Sequence, residues 1–155
     1  MDIKFEPPTN ADANDLLSVQ VRAFHDDARM YPGVEIGGPP GYDSLETMVA
    51  DIQNFLCHKI IYQVQIIGGI VVFDWGEGHF HLDRLFVEPS YHNRGVGTHA
   101  MQFIEAAYPA RLWTLDTPVY ATRNQHFYEK LGYIKVGIKD TDDIPLVSYK
   151  KTVAD

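Results

Sequence analysis

The 155-residue sequence predicts a mixed α/β fold: one largely antiparallel sheet with helices against it. Two patterns carry that expectation. Apolar residues recur at helical spacing in several segments, and short β-branched runs follow one another through turn-like sequences. A later strand–helix–strand stretch adds a parallel crossover through residues 97–108. The length suits one domain spanning 1–155, and a domain of that size buries roughly 68–70% of its unfolded surface. Apolar residues at 45% and aromatics at 12% are ample for its core.

The elements follow in order. A first helix from about Ala11 to Phe24 has a thin apolar stripe of Leu17, Val21 and Phe24. A second carries Leu45, Met48, Val49, Ile52 and Leu56 on one face, with Asp43 and Glu46 in capping-box spacing. "KIIYQVQIIGGIVVF" contains two strands joined by a turn whose place the sequence does not fix. "DWGEG" reads as a hairpin turn into "HFHLDRLFV". A third helix presents Ala100, Phe103, Ile104, Ala107 and Tyr108, and Pro109 ends it. "LWTLDT" is a strand. A short helix around Phe127 and Leu131 has Thr122 and Gln125 as a capping box and Gly132 as its stop. "YIKVGI" and "LVSYK" close the chain as a hairpin. Within "HFHLDRLFV" the apolar phase shifts near Arg84, from Phe80 and Leu82 to Leu85 and Val87, which a β-bulge would explain.

Charge and composition narrow the function. A net charge of −8 disfavours nonspecific nucleic-acid binding. No stretch approaches the ~20 apolar residues of a membrane helix, and "MDIKFEPPTN" has neither the basic end nor the apolar run of a signal peptide. A single cysteine, Cys57, excludes an internal disulfide. The expectation is a cytoplasmic protein with no nucleic-acid or membrane partner.

The chemistry concentrates in "YHNRGVGTHAM", where two glycines one residue apart precede a helix. Such a turn lets backbone N–H groups approach an anion. A nucleotide P-loop would need Lys-Ser or Lys-Thr after its last glycine, and Gly97 is followed by Thr98 and His99. Gly95-Val96-Gly97-Thr98-His99-Ala100 fits G-x-G-x-x-A, with Asp116 downstream. Against a dinucleotide site, "EPSYHNR" separates the strand from the first glycine, and hairpins precede it.

"LDRLFVEPSYHNRGVGTHAM" instead resembles the coenzyme-A signature of the GNAT superfamily of N-acetyltransferases, and "NQHFYEKLGY" resembles a later segment of the same family. The resemblance implies a GNAT-like single domain: a mixed, mostly antiparallel sheet with a bulged central strand and flanking helices. Acetyl-CoA would lie between splayed parallel strands at about 82–87 and 112–117. Cofactor contacts would come from Leu85, Phe86 and Val87 on the bulged strand, from His92, Asn93, Arg94, Gly95, Val96, Gly97 and Thr98 in the turn, and from Asn124 and Tyr128. His92 stands where the family usually has Gln or Arg, and Ala121 stands where many relatives have asparagine.

The same resemblance implies direct attack of a primary amine on the thioester, with Tyr128 as the acid that protonates the leaving thiolate. His81 and Asp83, alternating on one strand, are the candidates for deprotonating the amine, directly or through water. His79, His81 and Asp83 also suggest a metal face, but no fourth ligand is apparent, so no metal is expected. The loop "HDDARMYPGVEIGGPPGYDS" would form the substrate wall, with Tyr31 and Tyr42 shaping a pocket and Asp26, Asp27, Glu35 and Asp43 favouring a cationic small-molecule or peptide amine. A homodimer is a common assembly in the family. The alternatives are a noncatalytic acyl-CoA-binding regulatory module and a transferase for a longer acyl chain.

Overall fold

In a computed structural model that describes residues 1–153, the chain forms two compact units, Met1–Val72 with Arg84–Tyr108, and Phe73–Asp83 with the described residues from Pro109 onward. Seven strands follow the hydrogen-bonded order β1-β2-β3-β4-β5-β7-β6. They are β1 (Ile3–Glu6), β2 (Leu56–Tyr62), β3 (Gln65–Asp74), β4 (His79–Val87), β5 (Leu112–Pro118), β6 (Ile134–Lys139) and β7 (Leu146–Thr152). Four α-helices accompany them: α1 (Ala13–Met30), α2 (Leu45–Asn54), α3 (Val96–Ala107) and α4 (Thr122–Lys130). None is long and apolar enough to cross a membrane.

In the first unit β1, β2 and β3 pair antiparallel. The turn that the sequence left unplaced is Gln63-Val64, whose φ values of +48° and +59° suit a two-residue hairpin. Helices α1 and α2 bury Ala13, Leu16, Val19 and Met48 against Phe86 of β4. Each large side chain so buried contributes roughly 1.5–3 kcal/mol. Phe86 comes close to β3 because residues 68 and 69 are glycines. A Cβ on Gly68 would collide with the Phe86 carbonyl oxygen, and one on Gly69 with the Phe86 ring. Phe5 of β1 stacks on Phe103 of α3, ring centroids 4.6 Å apart.

Several expected boundaries are corrected. Helix α1 continues six residues past Phe24, through His25–Met30. The Tyr31 N–H closes it on the Asp27 carbonyl, and Arg29 pairs with Asp26 one turn back. Ser44, not Asp43, caps α2 by accepting the Thr47 N–H. Strand β1 was not anticipated at all.

The second unit has β5, β7 and β6 in an antiparallel ladder, with the start of β4 parallel to β5. Trp113, Leu115, Val147 and Tyr149 form its buried layer. Helix α4 buries Tyr128 rather than Phe127. Its N-cap is Ala121 without a side-chain cap, so the Thr122–Gln125 box does not form. The Gln125 amide donates instead to the carbonyls of Pro118 and Val119. Gly132 takes φ +95° just past the helix, as expected of a stop. Strand β6 ends the strand order and leaves Ile134, Val136 and Ile138 more than half exposed.

Candidate functional site

Each unit contributes one group of chemically competent residues. In the first, β4 leads through Glu88 and a short 3-10 turn (Pro89–Tyr91) into α3. The chain can turn so sharply because Asn93 and Gly95 adopt φ +62° and +80°. A Cβ at Gly95 would meet no atom within 4 Å, so glycine serves there for its backbone angle, not for space. The first intrahelical bond of α3 runs from the His99 N–H to the Gly95 carbonyl at 3.1 Å. The amides of Val96, Gly97 and Thr98 therefore precede the helical ladder, where N–H groups and the positive end of the helix dipole suit an anion. Arg94 lies beside them with its guanidinium over the Tyr91 ring, 5.4 Å from the centroid. These residues fit a pyrophosphate.

His92 does a different job from the one its position in the motif implies. Its Nε2–H donates to the Val87 carbonyl at 2.8 Å, and its Nδ1 lies 3.7 Å from Asp26. His92 thus ties the turn to the end of β4 and to α1. Val87 holds its carbonyl for that contact, and the next N–H, of Glu88, donates to Ile67 at 2.7 Å. The proposed substrate residues are committed in a similar way. Asp26 makes a two-point ion pair with Arg29, at 2.7 and 3.1 Å. Tyr31 is only 8% exposed. The Tyr42 hydroxyl meets His25 Nε2 at 2.8 Å, and its carbonyl accepts from Gln20. Tyr31 and Tyr42 thus anchor the 31–44 loop, while Asp26 is held by Arg29 within α1 and lies near His92.

In β4 the buried positions alternate as Phe80, Leu82 and Phe86, and Arg84 takes the inward place between them as a polar residue. Its guanidinium is held by Asp51 and by Gln20 Oε1. The apolar shift read at Arg84 is thus a polar side chain turned inward.

The second unit assembles the other group on one half-buried sheet face. The parallel ladder sets His79 opposite Leu112 and His81 opposite Thr114, and ends at Leu82 opposite Leu115. Because side chains alternate along a strand, His79, His81 and Asp83 share a face with Thr114 and Asp116. His79 Nε2 lies 2.8 Å and His81 Nδ1 2.7 Å from the same Thr114 hydroxyl. Trp75 stacks on the His81 ring at 4.3 Å and 15°, and sets its edge to His79 at 4.9 Å. Asp116 accepts from Ser148 at 2.6 Å and lies 3.8 Å from Lys139. Burial lowers the His81 pKa below its ordinary 6.5, against upward pulls from Asp116 and Asp83. Its imidazole is therefore neutral at pH 7 and able to accept a proton.

Tyr128 is 9% exposed, and burial raises its phenol well above the ordinary 10.0. It stays protonated throughout the neutral range. Asn124 donates to the Thr117 hydroxyl at 3.2 Å. Sequence reading missed Thr114, Asp116 and Trp75. For Thr114 and Asp116 the signal was their alternation with Trp113, Leu115 and Thr117 along β5, and no such pattern marks Trp75.

The family model described as acetyltransferase (GNAT) family matches residues 21–133. The uncharacterized protein YrkN of Bacillus subtilis (strain 168) is 38% identical over 79 residues, which are 49% of this chain and only 43% of that protein. Among solved structures, a PaiA N-acetyltransferase from Thermoplasma acidophilum in complex with coenzyme A superposes with TM-score 0.76 at 18% identity, covering 99% of this chain and all of that one. A GCN5-related N-acetyltransferase from Rhodopseudomonas palustris gives 0.78 at 20%, covering 99% and 97%. With the family model spanning most of its length, the glycine turn that opens α3 included, this chain belongs to the GNAT family of acetyltransferases.

Proposed function

We propose that the protein is an acetyl-CoA-dependent N-acetyltransferase that moves an acetyl group to a primary amine by direct attack on the thioester, acting as a single cytoplasmic GNAT-like domain. The observation that carries this reading is the left-handed Asn93–Gly95 turn ahead of three unladdered amides, inside the stretch matched by the family model.

Acetyl-CoA, when bound, supplies the activated acyl group as a thioester. The amides of Val96, Gly97 and Thr98 and the Arg94 guanidinium bind its pyrophosphate. Phe86 turns its carbonyl toward Gly68 of β3, so the backbone groups of Leu85 would be the ones to orient the pantetheine arm and polarise the reacting carbonyl, where loss of one such donor typically costs ~10²–10³ in rate. Tyr128 would supply the phenolic proton for the thiolate leaving group. His81 removes a proton from the amine, and Asp83 and Asp116 stabilise the imidazolium that results. Among the two candidates for the base, His81 is favoured because it is neutral at pH 7 and stacked in one orientation by Trp75.

Calorimetry of acetyl-CoA against wild type and Gly97→Glu tests the cofactor half. A carboxylate in the turn repels the pyrophosphate, so binding should be lost in the variant while its fold, followed by circular dichroism, persists. Absence of binding to wild type would end the proposal. A screen of amines for release of coenzyme A then tests transfer, and turnover with propionyl-CoA or butyryl-CoA in preference to acetyl-CoA would move the reading to a longer acyl chain.

A further inference from the structure

One hydroxyl serves two imidazoles in the second unit. Thr114 Oγ1 is 2.7 Å from His81 Nδ1 and 2.8 Å from His79 Nε2. A threonine hydroxyl has one proton to give and two lone pairs to accept with. With both rings neutral, one contact has threonine as donor and the other has an imidazole N–H as donor. With the hydroxyl proton used in the bridge there are two arrangements, and they differ by a proton moved along the line together with one lost at His79 Nδ1 and one gained at His81 Nε2. In one, His81 carries its proton on Nδ1 and its Nε2 is bare. In the other, both ring protons sit on the Nε2 atoms.

We propose that His79, Thr114 and His81 form one proton relay, in which His81 takes a proton from the attacking amine and His79 passes one to solvent. The inference rests on His81 being the base of the proposed transfer and adds two residues that act through it. The N–H bond of the acceptor ammonium breaks as a bond forms to His81 Nε2. The Nδ1 proton of His81 then moves to Thr114 Oγ1 while the hydroxyl proton moves to His79 Nε2, and His79 releases its Nδ1 proton to water. One proton leaves the amine, one reaches solvent, and no electrons change hands. Exchange with water at the two outer nitrogens restores the starting arrangement.

The surroundings suit a transient cation that does not stay on His81. Asp83 from β4 and Asp116 from β5 favour it, His79 from β4 and Lys139 from β6 oppose it, and burial opposes it most. Trp75 offers a ring face 4.3 Å away, and Phe73 another at 6.1 Å. Passing the charge to His79 relieves the burial cost at His81.

The test is a ¹⁵N-histidine NMR titration of the whole protein, which needs no substrate. In wild type the ring shifts of His79 and His81 should follow one shared first midpoint, because a single proton is distributed over the bridge. In Thr114→Val that shared midpoint should split into two independent ones, and Thr114→Ser should bring it back. The relay is overturned if the two rings titrate independently in wild type, or if Thr114→Val leaves both curves unchanged. A parallel assay separates this from the base assignment: His81→Gln should lower acetyl-CoA turnover with spermidine as probe amine by ~10²-fold or more. Retained turnover with a shared midpoint would remove His81 as the base, and with it the catalytic use of the relay. Lost turnover with independent midpoints would keep the base and remove the relay.

Discussion

Arg84 and Asp51 form an ion pair in which each side chain is only 11% exposed, joining β4 to α2. Gln20 braces it from α1, accepting from Arg84 Nη1 at 2.9 Å and donating to the Tyr42 carbonyl at 2.8 Å. The strand said to carry the cofactor and the loop said to carry the substrate are thus joined through one glutamine. Removing one partner from a buried pair leaves an uncompensated charge, so Asp51→Ala should lower stability by about 3–5 kcal/mol. Gln20→Leu, which strands a guanidinium N–H and a carbonyl, should cost about 1–3 kcal/mol. Urea denaturation followed by tryptophan fluorescence measures both, and equal, negligible effects would show the network to be idle.

Gly95→Ala should weaken acetyl-CoA binding without emptying the fold. The φ of +80° costs an alanine about 1–2 kcal/mol, and the turn relieves that strain by moving its amides. Calorimetry should show about a tenfold loss of affinity. An unchanged affinity would separate the turn's backbone angle from ligand binding.

Acid should both slow the enzyme and loosen it. Burial holds His58 and His81 below the 6.5 of a free imidazole. A depressed histidine contributes stability that is complete above the unfolded value and is lost as pH falls through the folded one. The melting temperature should therefore drop between pH 7 and pH 5, and His58→Phe should flatten part of that drop. The rate should be on its plateau at pH 7 and fall below pH 6.5, as His81 becomes protonated. A rate that keeps rising above pH 7 would place the base elsewhere.

Tyr128→Phe should reduce turnover by ~10²-fold or more while leaving acetyl-CoA affinity within about twofold of wild type. Because burial keeps the phenol protonated, the alkaline limb of the wild-type profile should not belong to Tyr128. Loss of affinity in step with turnover would mark the hydroxyl as a binding group only.

What could be read from the sequence followed from how local the cause was. The middles of the α2 and α3 stripes, the glycine stop at 132 and the closing hairpin are encoded by neighbours within one or two turns of chain, whereas Leu56, read as the end of the α2 stripe, opens β2 and Leu45 is exposed. The end of α1 was hidden because His25–Met30 has no apolar period; an ion pair between Asp26 and Arg29 and a carbonyl bond to Tyr31 hold it. Strand β1 was hidden because four residues, with only Ile3 and Phe5 facing inward, acquire meaning when β2 pairs with them some 55 positions later. The motif residues around Gly95 were legible because their backbone angles are a property of the turn itself. Thr114 was not, since nothing in "LWTLDT" announces that the ladder sets it opposite His81.

Strand β6 bears on how this protein behaves in a test tube. Its outer edge carries Ile134, Val136 and Ile138 into water, with Lys135 and Lys139 set among them. Charges on an exposed edge strand oppose the pairing of separate molecules, and Lys135 and Lys139 are placed to supply them. Their protection is ionic, so concentrated salt should erode it. Purification and storage at low ionic strength should keep the material clear, and acetylation of Lys135 or Lys139, the very modification a stray acetyl-CoA reaction would leave, should turn it cloudy.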